Sequence, residues 1–152
     1  MNTVLRYPES KWRIADQLVS NIPEHKSYLE PYFGSGAVLF NKPPSPIETI
    51  NDLDDDVINL FQCIRDHSQQ LAAMIAAIPY SRKVYDSQFS IVSKDPVDKA
   101  CAFLIKCWQG YGFKTSGIKT GWKRDKTGRE RAYNLSNWNG LKKLQNVFET
   151  YK

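Results

Sequence analysis

The chain has 152 residues, 41% of them hydrophobic and 12% aromatic, which suits one compact domain and excludes an intrinsically disordered segment. No apolar run approaches the roughly 20 residues of a membrane span, and residues 1–11 carry no apolar signal core, so a cytoplasmic protein without a membrane partner is expected. The net charge is +5, and it is local: residues 106–131 hold eight Lys/Arg against two acids, while the rest is close to neutral. Such a stripe is the electrostatic footprint of a polyanion partner. Cys63, Cys101 and Cys107 have neither disulfide-framework nor metal-ligand spacing, so buried thiols and no metal site are expected.

Trp12, Ile14, Ala15, Leu18 and Val19 recur at helical spacing and predict a helix over residues 11–21, stopped by Pro23. Residues 27–30, Ser-Tyr-Leu-Glu, are a strand candidate that runs into the turn Pro31-Tyr32-Phe33-Gly34-Ser35-Gly36. Residues 37–41 predict a short helix before Pro43-Pro44, and residues 46–50 a second strand ending at Asn51-Asp52. Asp55 or Asp56 is expected to cap a helix through residue 65, with Val57, Ile58, Leu60, Phe61 and Ile64 facing inward. Another helix is expected over residues 69–78, broken by Pro79, and a shorter one over 81–90. Pro96 suits the first turn of a strong helix ending at Trp108. Residues 110–133, with five glycines and seven Lys/Arg around Tyr111, Phe113 and Trp122, predict a loop or hairpin, and a last helix is expected from Asn137. Alternating helix and strand at the start is the beginning of an α/β domain, whose two-strand sheet is incomplete by itself.

Two strand ends carry the chemistry. Glycines at 34 and 36 permit backbone angles other residues resist and let a ligand approach the main chain. A third glycine of the dinucleotide fingerprint is missing, since position 39 is Leu39, and no Gly-Lys-Ser/Thr follows for a phosphate loop. The second strand ends in Asp52, placed where doubly wound folds put the acid that accepts from ribose hydroxyls. A structural turn and helix capping account for the same residues equally simply. Ribose binding is assigned to Asp52, and the two strand-end signals together carry more weight than either alone.

The run Glu30-Pro31-Tyr32-Phe33-Gly34-Ser35-Gly36-Ala37-Val38 resembles the cofactor motif of the Dam-type DNA adenine methyltransferases, Glu-Pro-Phe-x-Gly-x-Gly. Arg6-Tyr7-Pro8-Glu9-Ser10-Lys11 is similar to that family's N-terminal signature of an aromatic, a small-residue turn and Lys, with Glu9 standing where glycine is usual. Asn51-Asp52-Leu53-Asp54 matches its ribose-binding acid, and Cys107-Trp108, Lys114-Thr115 and Thr120-Gly121-Trp122 resemble the phage-type branch. The resemblance implies an incomplete Rossmann-like methyltransferase sheet interrupted by a mainly helical DNA-recognition region. Residues 1–78 would be the cofactor half, 79–136 the inserted region, and 137–152 a helix returning to the first.

S-adenosyl-L-methionine (AdoMet) is the implied cofactor, with Tyr7, Lys11, Glu30, Pro31, Tyr32, Gly34, Ser35, Gly36 and Asp52 as its contacts. Double-stranded DNA is the implied partner, with Lys114, Lys119, Lys123 and Arg124 on phosphates. The family's Asp-Pro-Pro-Tyr motif, which holds the flipped adenine, does not occur in the chain. The expectation is therefore a bacterial or phage-encoded N-terminal portion, inactive alone, without catalytic residues of its own and completed by a C-terminal fragment. A DNA-binding module derived from such an enzyme is the alternative.

Overall fold

The computed structural model describes residues 4–5, 7–8, 10–112 and 117–123. The helix expected from Asn137, together with Glu9, Lys114 and Arg124, lies outside the described residues.

The first expected helix is two pieces. A 3-10 turn over Lys11–Arg13 precedes α1 (Ala15–Ser20), and Ile14 between them sits at φ −116°, ψ 6°. Ala15 is the one buried residue of α1, so little apolar surface drives the segment into one long helix.

The strands β1 (Ser27–Glu30) and β2 (Ile47–Ile50) pair in parallel, Ser27 opposite Ile47 and Glu30 opposite Ile50. Side chains alternate across a strand. One face therefore carries Ser27, Leu29, Ile47 and Thr49, all exposed, and the other carries Tyr28, Glu30, Glu48 and Ile50. The ladder continues past the strand ends, because the Asn51 amide donates to Glu30 O at 2.9 Å and the Phe33 amide donates to Asn51 O at 3.0 Å.

The short helix expected over residues 37–41 is a turn instead. Phe40 N–H reaches Gly36 O and Lys42 N–H reaches Val38 O, each at 3.0 Å. Pro43 and Pro44 offer no amide to extend this pattern. The turn ends on a buried cation. Lys42 donates to Pro43 O, to Ser45 Oγ and to the Glu48 carboxylate, and lies 4.5 Å from the centre of the Tyr28 ring. All three ammonium protons are thus used, as a buried lysine requires.

The two helices expected after Asp52 follow each other end to end as α2 (Asp55–Ala77), divided by a kink at His67, whose backbone is non-helical (φ −134°, ψ 30°) and lies between the two expected spans. Its cap is Asp54, not Asp55 or Asp56. Asp54 has the extended backbone of a cap, and its Oδ1 accepts from the Asp56 amide at 3.1 Å. After α3 (Arg82–Ser87), α4 (Pro96–Gln109) begins as the sequence predicts, with Asp95 accepting from the Val97 amide at 2.7 Å. The core lies where α2 meets α4: Val57, Leu60, Phe61 and Ile64 pack with Ala100, Phe103, Leu104 and Ile105. Cys63, Cys101 and Cys107 are buried free thiols, and burial raises the pKa of each.

Beyond α4 the chain folds back. Gly110 bridges Trp122 in antiparallel sense, Tyr111 N–H donates to Gly121 O at 2.7 Å, and Lys123 N–H donates to Gln109 O at 2.8 Å. Among the described residues no helix is long and apolar enough to cross a membrane.

The Lys42–Glu48 pair gives a first prediction. Burial by itself raises the Glu48 pKa, but the hydrogen bonds from Lys42 and Ser45 and the Lys42 charge bring it below the ordinary carboxylate value. The stabilisation is present above the unfolded pKa and is lost as the pH falls through the lowered folded value. Glu48 keeps part of its hydration, so Lys42→Met is expected to cost about 2 kcal/mol near neutral pH, less than the roughly 3–5 kcal/mol of a fully buried pair. Urea unfolding is expected to show that cost shrinking in acid; an equal cost at both pH values contradicts it.

Candidate functional site

The ladder register brings the turn after β1 beside the residues after β2. Gly34 takes a left-handed backbone, φ +52°, and turns its amide toward Asp52. Asp52 Oδ2 accepts from that amide at 2.7 Å, and Asp52 Oδ1 accepts from the Asp54 amide at 3.0 Å. Each carboxylate oxygen retains a lone pair for a further donor. The carboxylate thus ties the glycine bend to the entry of α2.

The N-terminal segment closes one side. The Tyr7 ring lies over Gly34, so near that a Cβ there would meet Tyr7 Cδ1 at 3.3 Å. Its hydroxyl donates to Asp54 Oδ2 at 3.2 Å. Burial, then the negative charges of Asp54 and Asp52, push the phenol pKa up. Ser10 Oγ and Ser35 Oγ are 2.8 Å apart and join this segment to the turn.

Between these parts lies one cleft of about 280 Å³, lined by Tyr7, Lys11, Glu30, Tyr32, Gly34, Ser35 and Asp52 among others. Seven residues singled out in the sequence therefore meet in a single cavity. Pro31 and Gly36 do not line it. Pro31 is exposed and accepts from Asn51 Nδ2 at 3.3 Å. Gly36 (φ +67°) lies against the aromatic cluster, where a Cβ would come within 2.4 Å of the Phe40 ring and 2.7 Å of the Phe33 ring. Its glycine is needed for packing of Phe33, Phe40 and Phe61, whose rings stack edge-on or tilted at 4.8–5.9 Å. The cleft also takes in Pro8, Ser10, Phe33, Ala37 and Leu53, which lie within the three motifs but were assigned no contact there. Leu53, 87% exposed directly after Asp52, had a visible signal: a large apolar residue in an otherwise acidic run.

Glu30 is the buried charge of the cleft. Its Oε2 accepts from Leu39 N–H at 3.1 Å and Tyr28 Oη–H at 3.2 Å. Oε1 has no donor among the described residues. Burial raises the Glu30 pKa, opposed by those two hydrogen bonds and by the charges of Lys11 and Lys42. Lys11, exposed at the rim, supplies the opposite charge. The cleft therefore offers an anion and a cation at one part, free carboxylate lone pairs at another, and exposed apolar surface from Tyr32 and Leu53.

Of the basic residues expected on a polyanion, Lys119 and Lys123 are described. Lys119 pairs with Asp86 at 2.8 Å, and Lys123 Nζ donates to Trp108 O at 3.1 Å. Neither lines the cleft. Trp108 is half-buried, with its indole N–H donating to Val4 O at 3.1 Å. Among the described residues there is no group of three or more His, Cys, Asp or Glu placed to hold a metal ion.

Residues 7–137 match the family model of the D12 class N6 adenine-specific DNA methyltransferases. No curated protein matches the sequence.

The two glycines separate by experiment. Gly36→Ala is expected to lower stability by about 2–4 kcal/mol in urea unfolding, through the ring collision and the positive φ. Gly34→Ala meets a single movable ring and is expected to cost less. The reverse order contradicts this division.

Proposed function

The chain belongs to the D12 class of N6 adenine-specific DNA methyltransferases, and from that premise we propose that the cleft between the two strand ends binds AdoMet. The observation that carries this reading is the hydrogen bond from the Gly34 amide to Asp52, which makes one wall out of the two strand-end signals.

The residues present fit such a ligand. Asp52 keeps lone pairs for two ribose hydroxyls, the arrangement doubly wound folds use. Leu53 and Tyr32 offer apolar surface for an adenine ring. At the other part, Glu30 Oε1 suits an ammonium and Lys11 a carboxylate, so an amino-acid group finds both its charges answered. The Tyr7 ring packs against the bend and narrows the cleft. A volume of about 280 Å³ lies just under the roughly 300–1,000 Å³ usual for small-molecule sites. When bound, the cofactor supplies an electrophilic methyl group on a sulfonium sulfur.

On this reading these side chains bind and orient the cofactor. The 152 residues contain no Asp-Pro-Pro-Tyr run. The reading therefore assigns this chain cofactor and DNA binding, with methyl transfer requiring the acceptor-binding motif from a further segment or a partner fragment. Residues 79–136, with their basic segment, are the DNA-recognition region on this reading, and Lys114, Lys119, Lys123 and Arg124 are its proposed phosphate contacts.

Calorimetric titration of the chain with S-adenosylhomocysteine is expected to give one site, weakened about tenfold or more by Asp52→Ala. No heat of binding contradicts the cofactor reading. A methyl-transfer assay on adenine-containing DNA is expected to show no turnover by the chain alone; clear turnover contradicts the division of labour.

Glu30 adds a pH dependence. It must be ionised to hold an ammonium, and its pKa is raised, so affinity is expected to fall in weak acid earlier than an ordinary glutamate would dictate. Glu30→Gln is expected to weaken binding near neutral pH and to flatten that profile.

A further inference from the structure

A second cluster of charge lies outside the cleft, where α3, α4 and the returning segment 117–123 meet. Lys119 Nζ is 2.8 Å from Asp86 Oδ1, and Arg82 Nε is 3.7 Å from Asp86 Oδ2. Phe89 sits between two ammonium groups, with Lys106 Nζ 5.3 Å and Lys119 Nζ 6.0 Å from its ring centre. Asp86 thus has two cations beside it and the Phe89 ring has two, with Lys119 common to both. The side chains of Arg82, Lys119 and Asp86 are 75%, 49% and 36% exposed, so an incoming polyanion reaches them.

The segment bearing Lys119 is held in place. Tyr85, fully buried, donates its hydroxyl to Thr120 O at 2.9 Å. Tyr80 donates to Lys123 O at 3.0 Å, and its ring lies 5.4 Å from that of Trp122. Gly110 is the pivot, since a Cβ there would meet Lys106 O at 2.6 Å and both Tyr85 Oη and Thr120 Oγ1 at 3.0 Å. Lys119 is therefore presented beside α3 by a packed junction.

We propose that Arg82, Lys106 and Lys119 form one contact for the phosphate backbone of duplex DNA, and that Asp86 is an internal counter-ion which a phosphate displaces from Lys119. The inference rests on the DNA methyltransferase reading and adds to its proposed contacts two cations carried by helices, Arg82 on α3 and Lys106 on α4. One carboxylate leaves an excess of two positive charges in the cluster, which a phosphate diester is suited to neutralise. Exposed ion pairs are weak, so Lys119 exchanges its partner at little cost. Lys123, donating to the carbonyl of Trp108, belongs to the junction and not to this contact.

The test is fluorescence anisotropy of the full chain with short labelled duplexes of unrelated sequence, across about 50 to 200 mM salt. Arg82→Gln, Lys106→Gln and Lys119→Gln are each expected to weaken binding uniformly across sequences and to reduce the log–log salt slope by about 0.9. Lys26→Gln, outside the cluster, is expected to leave the slope unchanged. Asp86→Asn is expected to tighten binding about two- to fivefold, the opposite of what loss of a purely structural contact does. Circular dichroism and thermal melting identify any variant that unfolds, and Lys119→Arg, which keeps the charge, is expected to retain the slope. If the wild-type chain binds no duplex, the DNA reading fails and the proposal fails with it. If the wild type binds but the three slopes match it, or Asp86→Asn weakens binding, the contact is overturned and the reading of the cleft stands.

Discussion

A single carboxylate organises this half of the molecule. Asp52 accepts the Gly34 amide on one oxygen and the Asp54 amide on the other, at 2.7 and 3.0 Å. Hydrogen bonds to an ionised acceptor are the strong kind, about 1.5–3 kcal/mol each. The bend after β1 therefore cannot drift from the end of β2, and Tyr7, Ser10 and Ser35 complete the wall around the resulting cavity. The dependence runs onward, since Asp54, fixed by Asp52, caps α2 and receives the Tyr7 hydroxyl.

What holds this arrangement from behind is apolar. Gly36 lets Phe33 turn into the interior, where it meets Phe40 and Phe61, and Phe61 belongs to the face of α2 that packs on α4. The α2–α4 contact is thus the platform for the cleft as well as the core. The same α4 ends at Gly110, the pivot of the returning basic segment. The cleft and the charged junction are built on one helix pair, so a single small core positions both.

The strands, α4 and the meeting of seven candidate residues in one cavity were legible in the sequence, because short motifs with fixed backbone demands carry them. Pro96 and the apolar spacing after it define α4. The Gly-Ser-Gly bend and the terminal acid define the cleft. Other features depended on contacts that sequence spacing does not encode. Asp54 is the cap because the chain emerging from Asp52 has extended angles there, a fact of position within a run of four acids. Residues 37–42 stay a turn because Lys42 finds its partners in Ser45 and Glu48, beyond the two prolines. Gly36 read as a ligand glycine in the motif, whereas the neighbours that require its missing Cβ are two phenyl rings. Arg82 was invisible as a partner of the basic segment, since only the fold brings α3 beside residue 119.

The most direct measurement is of the Gly34 amide itself. It is the donor that joins the two strand ends, and an adenosyl ligand engaging Asp52 alters its environment. A ¹⁵N-edited NMR titration with S-adenosylhomocysteine is predicted to shift the amides of Gly34, Ser35 and Leu53 together, saturating along one binding curve. Binding that leaves those three resonances in place, or shifts them along separate curves, contradicts a single cleft formed by the glycine bend and the acid.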